Sequence, residues 1–236
     1  MLRIWVKNPA VPVEIPSVEV IHYGYLYPPH ALYDETALIK TGYHIADYDD
    51  WDDLAQYLGD ANIGSATTSG GKLKEIGLTY WNTPNTGASN EVGFNGRGFG
   101  GMGTSGVTLS YSGLKTSGRY LIGGQHQAVG LSYSDTVLDF FDLGPFPGNP
   151  SAIGIRIVKD STTLTHGQSG EYIGNNNKIY RTICINGVEW LADNLAETHF
   201  NDLSPIPLVD NYTDFMVYYT AGTWCIVAYN NDPNNV

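Results

Sequence analysis

Six histidines, two cysteines and a run of aspartates are the residues of this 236-residue chain whose chemistry could go beyond packing. His22, His30, His44, His126, His166 and His199 stand apart, without the short intervals that place imidazoles on one metal ion. Asp47, Asp49, Asp50, Asp52 and Asp53 put carboxylates at nearly every step, as a calcium loop does. The glycine turn and closing glutamate of such a loop are missing, so the run reads as the capped, solvated start of a helix. Acid pairs such as Glu189 and Asp193 have the right types for acid–base work, but their spacing fixes no geometry. Gly96 to Gly106 superficially resembles a nucleotide loop, yet no strong strand-then-helix frame surrounds it. There is no G-x-S-x-G, H-E-x-x-H or phosphate loop ending in Lys-Ser/Thr. Cys184 and Cys225 are too few for a disulfide framework or a thiolate zinc site. A single bridge and two buried thiols both remain open. The residues therefore yield no catalytic set, no metal site and no cofactor.

Composition points the same way. Apolar residues are 42% of the chain, which supports a packed core, whereas charged residues are only 15%. Glycine (28) and tyrosine (17) are over-used, a profile that suits short strands joined by tight turns. A formal net charge of -12 with 12 basic residues disfavours a protein that tracks phosphates, so no nucleic-acid partner is expected. No apolar run approaches the roughly 18 residues of a membrane span. Nor does the N-terminus show the apolar centre of a signal peptide.

The elements that must position any site follow from patterning. In residues 1–22, Pro9, Pro12 and Pro16 interrupt an apolar series and forbid helix. The stretch reads as an extended docking arm, with Ile4, Trp5, Val11, Val13 and Ile15 as its partner-docking residues. Residues 47–58 are the best helix, capped by Asp47, with Trp51, Leu54, Ala55 and Leu58 on one face and Gly59 as the stop. From Ser65 to Gly118 the composition predicts long loops, including turn signals from Gly96 to Gly106. Strands are expected at Arg119–Ile122, Leu138–Leu143 and Ile153–Val158, then a polar linker over 161–177. A strand at Ile179–Ile185 should turn at Asn186-Gly187 and pair back through Val188–Trp190. A second helix at Asp214–Tyr219 and a closing strand at Trp224–Tyr229 complete the pattern.

Larger motifs then become recognisable. Residues 180–211, YRTICINGVEWLADNLAETHFNDLSPIPLVDN, with AYNNDPNN following, resemble the opening half of the Fibrobacter succinogenes major paralogous domain. Trp190, Asn194, Leu195, Asn201, Ile206, Pro207, Cys225, Tyr229, Asn230, Asn231 and Asp232 match its pattern, and Asp193 replaces a glutamate. YGYLY (23–27), GYHIADYDDWDDLAQYLGD (42–60), GGKLKEIGLTYWNTPNTGASNEVGF (70–94) and GIRIVKD (154–160) resemble its second half. The halves stand in inverted order, which implies a circular permutation within one domain or an exchange between subunits, with intrachain closure preferred.

The resemblance implies an α+β, C-type-lectin-like fold: a small twisted antiparallel sheet, two short helices and long loops. Residues 23–236 would form one permuted domain: 23–160 the family's second half, 161–177 the linker, 178–236 its first half. The family's late cysteine is Ile157 here, which removes its usual bridge to Cys225 and leaves Cys184 as a substitute. Pro28-Pro29-His30 replaces an aromatic segment, and Arg119 to Gly124 replaces a tryptophan-rich loop. Arg119, Tyr120, Gln125, His126, Gln127 and Tyr133 are accordingly the candidate ligand-binding residues.

The functional expectation is a non-enzymatic structural or binding module of a bacteriophage particle: a fibre, tail or head decoration. It would assemble in the host cytoplasm, dock other virion proteins through the arm, form a homo-oligomer and meet a host-surface glycan or protein. The alternative is a secreted or surface-attached bacterial adhesin. An enzyme related to the formylglycine-generating proteins would need a reactive cysteine pair in a cleft, whereas both cysteines fall on expected strands.

Overall fold

The computed structural model describes residues 23–144, 148 and 150–232. The first strands and helices are β1 (Tyr43–Ile45), α1 (Tyr48–Tyr57), α2 (Ser69–Leu73), β2 (Phe99–Ser105) and β3 (Thr108–Leu114). Next come β4 (Ser117–Leu121), β5 (Gln127–Ser132), β6 (Leu138–Asp142), β7 (Ser151–Ala152) and β8 (Ile157–Lys159). The chain closes with β9 (Ser169–Ile173), β10 (Ile179–Ile185), β11 (Val188–Leu191) and α3 (Tyr212–Ala221). The class is α+β. In place of one small sheet there are two, ordered β1-β8-β11-β10-β9 and β3-β2-β4-β5-β6, with β7 against β2. Among the pairings between these strands one, Gly100 to Gly118, is parallel.

Local signals placed α1 well. Asp47 accepts from the Asp50 amide while the Asp50 side chain accepts from the Asp47 amide, a reciprocal capping box. Trp51, Leu54 and Ala55 are buried, and Gly59 leaves the helix at φ +99°. The hairpin at Asn186-Gly187 also forms as expected, with both residues at positive φ, as a two-residue turn between twisted strands requires.

Four expectations are corrected. The glycine-rich stretch from Gly96 is mostly strand β2, because glycine is what lets neighbouring backbones approach. A Cβ on Gly98 would lie 2.9 Å from Tyr80 O and from Lys115 Cα. The polar linker contains β9, paired with β10 from Ile179↔Ile173 to Ile183↔Ser169. Only Tyr172 of that strand is buried, too little to show as alternation. The strand expected over Ile153–Val158 is divided between bridges at Ile153 and Gly154 and the short β8. Trp224–Tyr229 is extended and buried but is no regular strand. It pairs singly with Leu208, beside which Pro207 has no amide to donate, and with Leu26, whose neighbour Tyr27 pairs instead with Ile153. The second helix is longer than expected, with Asn211 accepting from the Asp214 amide and Gly222 ending it at φ +69°.

Two cores result. The first gathers Trp51, Phe94, Phe99, Tyr120 and Trp190; the second gathers Tyr27, Leu38, Tyr172, Tyr180, Ile226 and Trp224. Arg156 and Lys74 lie buried at the joints. The Lys74 ammonium donates to Thr86 O, Ser132 O and Asp135 O at 2.7–2.8 Å, and burial pushes it down to about 8. The distant ends of the described chain meet: Leu26 and Val227 exchange two backbone hydrogen bonds of 2.9 and 3.0 Å, and Tyr25 N donates to Leu195 O.

Candidate functional site

A cleft of about 580 Å³ lies over the second core. Its aromatic walls are Phe200, Tyr218 and Trp224, with Asp34 and Asp202 as its carboxylates. Three segments far apart in sequence build it. The 3-10 stretch Pro29–Ala37 supplies Asp34 and Ala37, the turn after Phe200 supplies Asp202 and Ser204, and α3 with its cap supplies Tyr218 to Trp224.

Polar stitching holds these segments in place. Trp224 Nε1 donates to Asp34 O at 3.0 Å, while the indole meets the Tyr27 ring edge-on at 6.1 Å. Asn201 Nδ2 donates to Thr36 O and Ile39 O at 2.7 and 2.8 Å, and its amide N donates to Ala37 O. Asp202 accepts from the Ser204 amide and hydroxyl, which hold its carboxyl below the usual range. Between them Leu203 sits at φ +68°, rare for a leucine, and is 65% exposed. The rings offer stacking surface, the carboxylates accept hydrogen bonds or meet cations, and no histidine, cysteine or lysine is among the described lining residues.

The sequence-derived candidates do not converge. Arg119 is exposed on β4, its guanidinium 5.3 Å from the Phe141 ring centroid, and it lines a second cleft of about 430 Å³ with Asp139. Tyr120 is 0% exposed and packs on Trp51, Phe94 and Phe99, so it is a core residue and not a ligand contact. Gln125 is exposed in the turn before β5, where His126 Nδ1 bonds to Gly144 O. Gln127 is half-buried and pairs with Asp142. Tyr133, half-buried, follows the other end of β5, about 20 Å from Gln127 at strand rise. Ile4, Trp5, Val11, Val13 and Ile15 fall outside the described residues.

The carboxylate pair also proves structural. Asp193 is gripped by Arg181 through bonds of 2.8 and 2.5 Å, and Glu189 accepts from Thr162 and Thr182 at 2.6 and 2.7 Å. Both cysteines are buried and unbridged, and burial pushes the Cys225 thiol up to about 12.

One histidine does gather acids. His44 Nε2 meets Asp50 at 2.9 Å and Nδ1 meets Asp160 at 2.8 Å, while the nearest oxygens of Asp47 and Asp50 share a 4.8 Å cluster with the ring. The bond to Asp50 is the main reason the imidazole is pushed up to about 9; burial opposes it and Asp160 adds to it. With a carboxylate on each ring nitrogen, the group ties β1 and α1 to Asp160 just beyond β8. A raised imidazolium stabilises fully below about 6.5, its ordinary value, and that contribution is lost as pH rises through about 9. The difference in unfolding free energy between the native chain and His44→Gln should therefore be largest near pH 6 and vanish near pH 10. A difference independent of pH would show that the ring acts by packing alone.

No curated protein and no solved structure matches the chain. The model of one family, described as the Fibrobacter succinogenes major domain, matches residues 13–132, just over half the chain. The match begins inside the stretch read as an arm and ends before β6, so residues 178–236, with their own family-like motifs, lie beyond it. Within it fall the segments 23–27, 42–60 and 70–94, whose buried Trp51, Trp81 and Phe94 build the first core. The chain belongs to the Fibrobacter succinogenes major domain family.

Proposed function

We propose that the chain is a non-enzymatic binding module of a bacteriophage particle, with the cleft of Phe200, Tyr218 and Trp224 as its contact site. The observation that carries the binding reading is the cleft itself: three rings and two carboxylates held on a stitched frame. Such a lining favours adhesion by stacking and hydrogen bonding, of a glycan face or a peptide, over bond-breaking chemistry. The particle is supported by the apolar residues of 1–22, which add a second contact surface, and two surfaces per chain suit a repeated assembly.

The same reading takes the architecture as C-type-lectin-like and circularly permuted. Its support is the pairing of Leu26 with Val227, which joins segments that adjoin in the family but stand at opposite ends here.

Mass spectrometry of particles released by lysis of the producing cells tests this. The native chain is expected in the particle fraction. The Phe200→Ala/Tyr218→Ala variant, with a comparable melting temperature, is expected in the unassembled fraction. Recovery of the native chain from the cell surface alone would replace the particle with the adhesin reading, and retention of the variant would remove the cleft from the function.

A further inference from the structure

We propose that the occupant of the aromatic cleft is the N-terminal segment of a second copy of this chain, so that each copy gives a segment to one neighbour and receives one from another. The proposal rests on the cleft being the binding site and adds the identity of its partner.

Three observations converge. Exposed apolar side chains stand next to the cleft in sequence: of eight large ones among the described residues, Leu203, Leu208 and Val217, 55–65% exposed, each neighbour a cleft-lining residue along the chain. Exposed apolar residues beside a cleft mark a surface that is covered in the working state. Second, charge is complementary. The described lining residues include Asp34 and Asp202 and no cation, in a chain of net charge -12. Residues 1–10 carry Arg3 and Lys7 and no acid, interleaved with Leu2, Ile4, Trp5 and Val6. A segment that is both apolar and basic fits a cleft that is both aromatic and acidic. Third, residues 1–22 span about 70 Å when extended. That is several times the roughly 18 Å radius of gyration of a folded chain this long.

The path of the chain favours a neighbour's cleft over its own. Tyr27 touches Trp224, but towards the N-terminus the backbone runs away from it, to Tyr23. Tyr23 O accepts from Asn194 Nδ2 at 2.6 Å, and its ring lies 5.4 Å from Tyr80, over the first core. The described fold thus begins over the first core, whereas the cleft lies over the second.

Charge reversal in two chains tests the exchange, using full-length protein throughout. One chain carries Asp34→Lys/Asp202→Lys, which spoils the cleft and keeps the segment; the other carries Arg3→Glu/Lys7→Glu, which spoils the segment and keeps the cleft. By sedimentation velocity the native chain should self-associate. Each variant alone should associate roughly tenfold or more weakly. An equal mixture should restore pairing, because one good segment meets one good cleft. Tyr218→Ala, which leaves the charges in place, should weaken association as well, and thermal melts identify any variant lost to misfolding.

A native chain that stays monomeric at high micromolar concentration, a mixture no better than its parts, or variants that associate as the native chain does would each overturn the exchange. Should the exchange fail while Phe200→Ala/Tyr218→Ala still leaves the particle, the cleft remains the contact site with a different occupant. If that variant stays in the particle, the binding reading itself fails.

Discussion

Arg156→Ala should remove about 3–5 kcal/mol of the domain's unfolding free energy. Arg156 is 0% exposed, and four of its hydrogen bonds reach residues 94–95 and 191–194. Nε donates to Asn194 Oδ1 at 3.0 Å, Nη1 to Phe94 O and Leu191 O at 3.0 and 2.6 Å, and Nη2 to Asn95 O at 3.1 Å. The guanidinium also lies 4.3 Å from the Phe94 ring centroid. Alanine removes every donor at once and leaves buried acceptors bare, each at about 1–3 kcal/mol. Asn194 loses the group that orients it, and Asn194 in turn holds Tyr23. A total of about 3–5 kcal/mol is expected, a large part of the roughly 5–15 kcal/mol that holds a typical domain. Arg156→Lys should recover little, since one ammonium cannot span four acceptors in a planar fork. Urea unfolding at pH 7 measures this. A loss under about 2 kcal/mol for the alanine variant would mean that water replaces the guanidinium, and the joint would then be ordinary surface.

Trp51→Ala should cost about as much, roughly 3–5 kcal/mol, through a cavity instead of bare acceptors. The indole is fully buried on α1, with Trp190, Tyr120 and Phe94 at ring-centroid distances of 5.0, 5.6 and 5.7 Å. Helix, loop and both sheets meet there, so the void cannot close by moving one side chain. Trp51→Phe should be much milder, about 1–2 kcal/mol. The Trp51 Nε1 donor has no hydrogen-bond partner, so phenylalanine loses area but also sheds an unsatisfied polar atom. Equal losses for the two variants would show that neither the buried area lost nor the size of the void governs the site.

The candidate site was far less legible in the sequence than the first core. A departure from the family's pattern pointed to residues 119–133, where Tyr120 proves to be core and Gln125 and Tyr133 sit beyond opposite ends of β5. The cleft escaped notice because Asp34 and Trp224 are 190 positions apart and are joined only by one indole hydrogen bond. The aromatic residues at 200, 218 and 224 were a signal of sorts, but tyrosine and tryptophan elsewhere in this chain are mostly interior.

Short-range physics made several elements readable without coordinates. Asp47 with Asp50 closes a cap within one turn, Trp51, Leu54 and Ala55 repeat at the helical period, and Asn186-Gly187 carries the positive φ values that a tight hairpin needs. Those choices involve neighbours along the chain, so composition and order alone settle them. The placement of β9, the glycine-rich β2 and the buried extended segment 224–229 depended on partners remote in sequence. A strand with one buried side chain, or a glycine chosen so that another backbone can come close, carries no periodic signal of its own. The tertiary structure alone also gave Arg156 and Lys74 their interior places, because a buried cation is tolerated only where carbonyls from several segments converge on it.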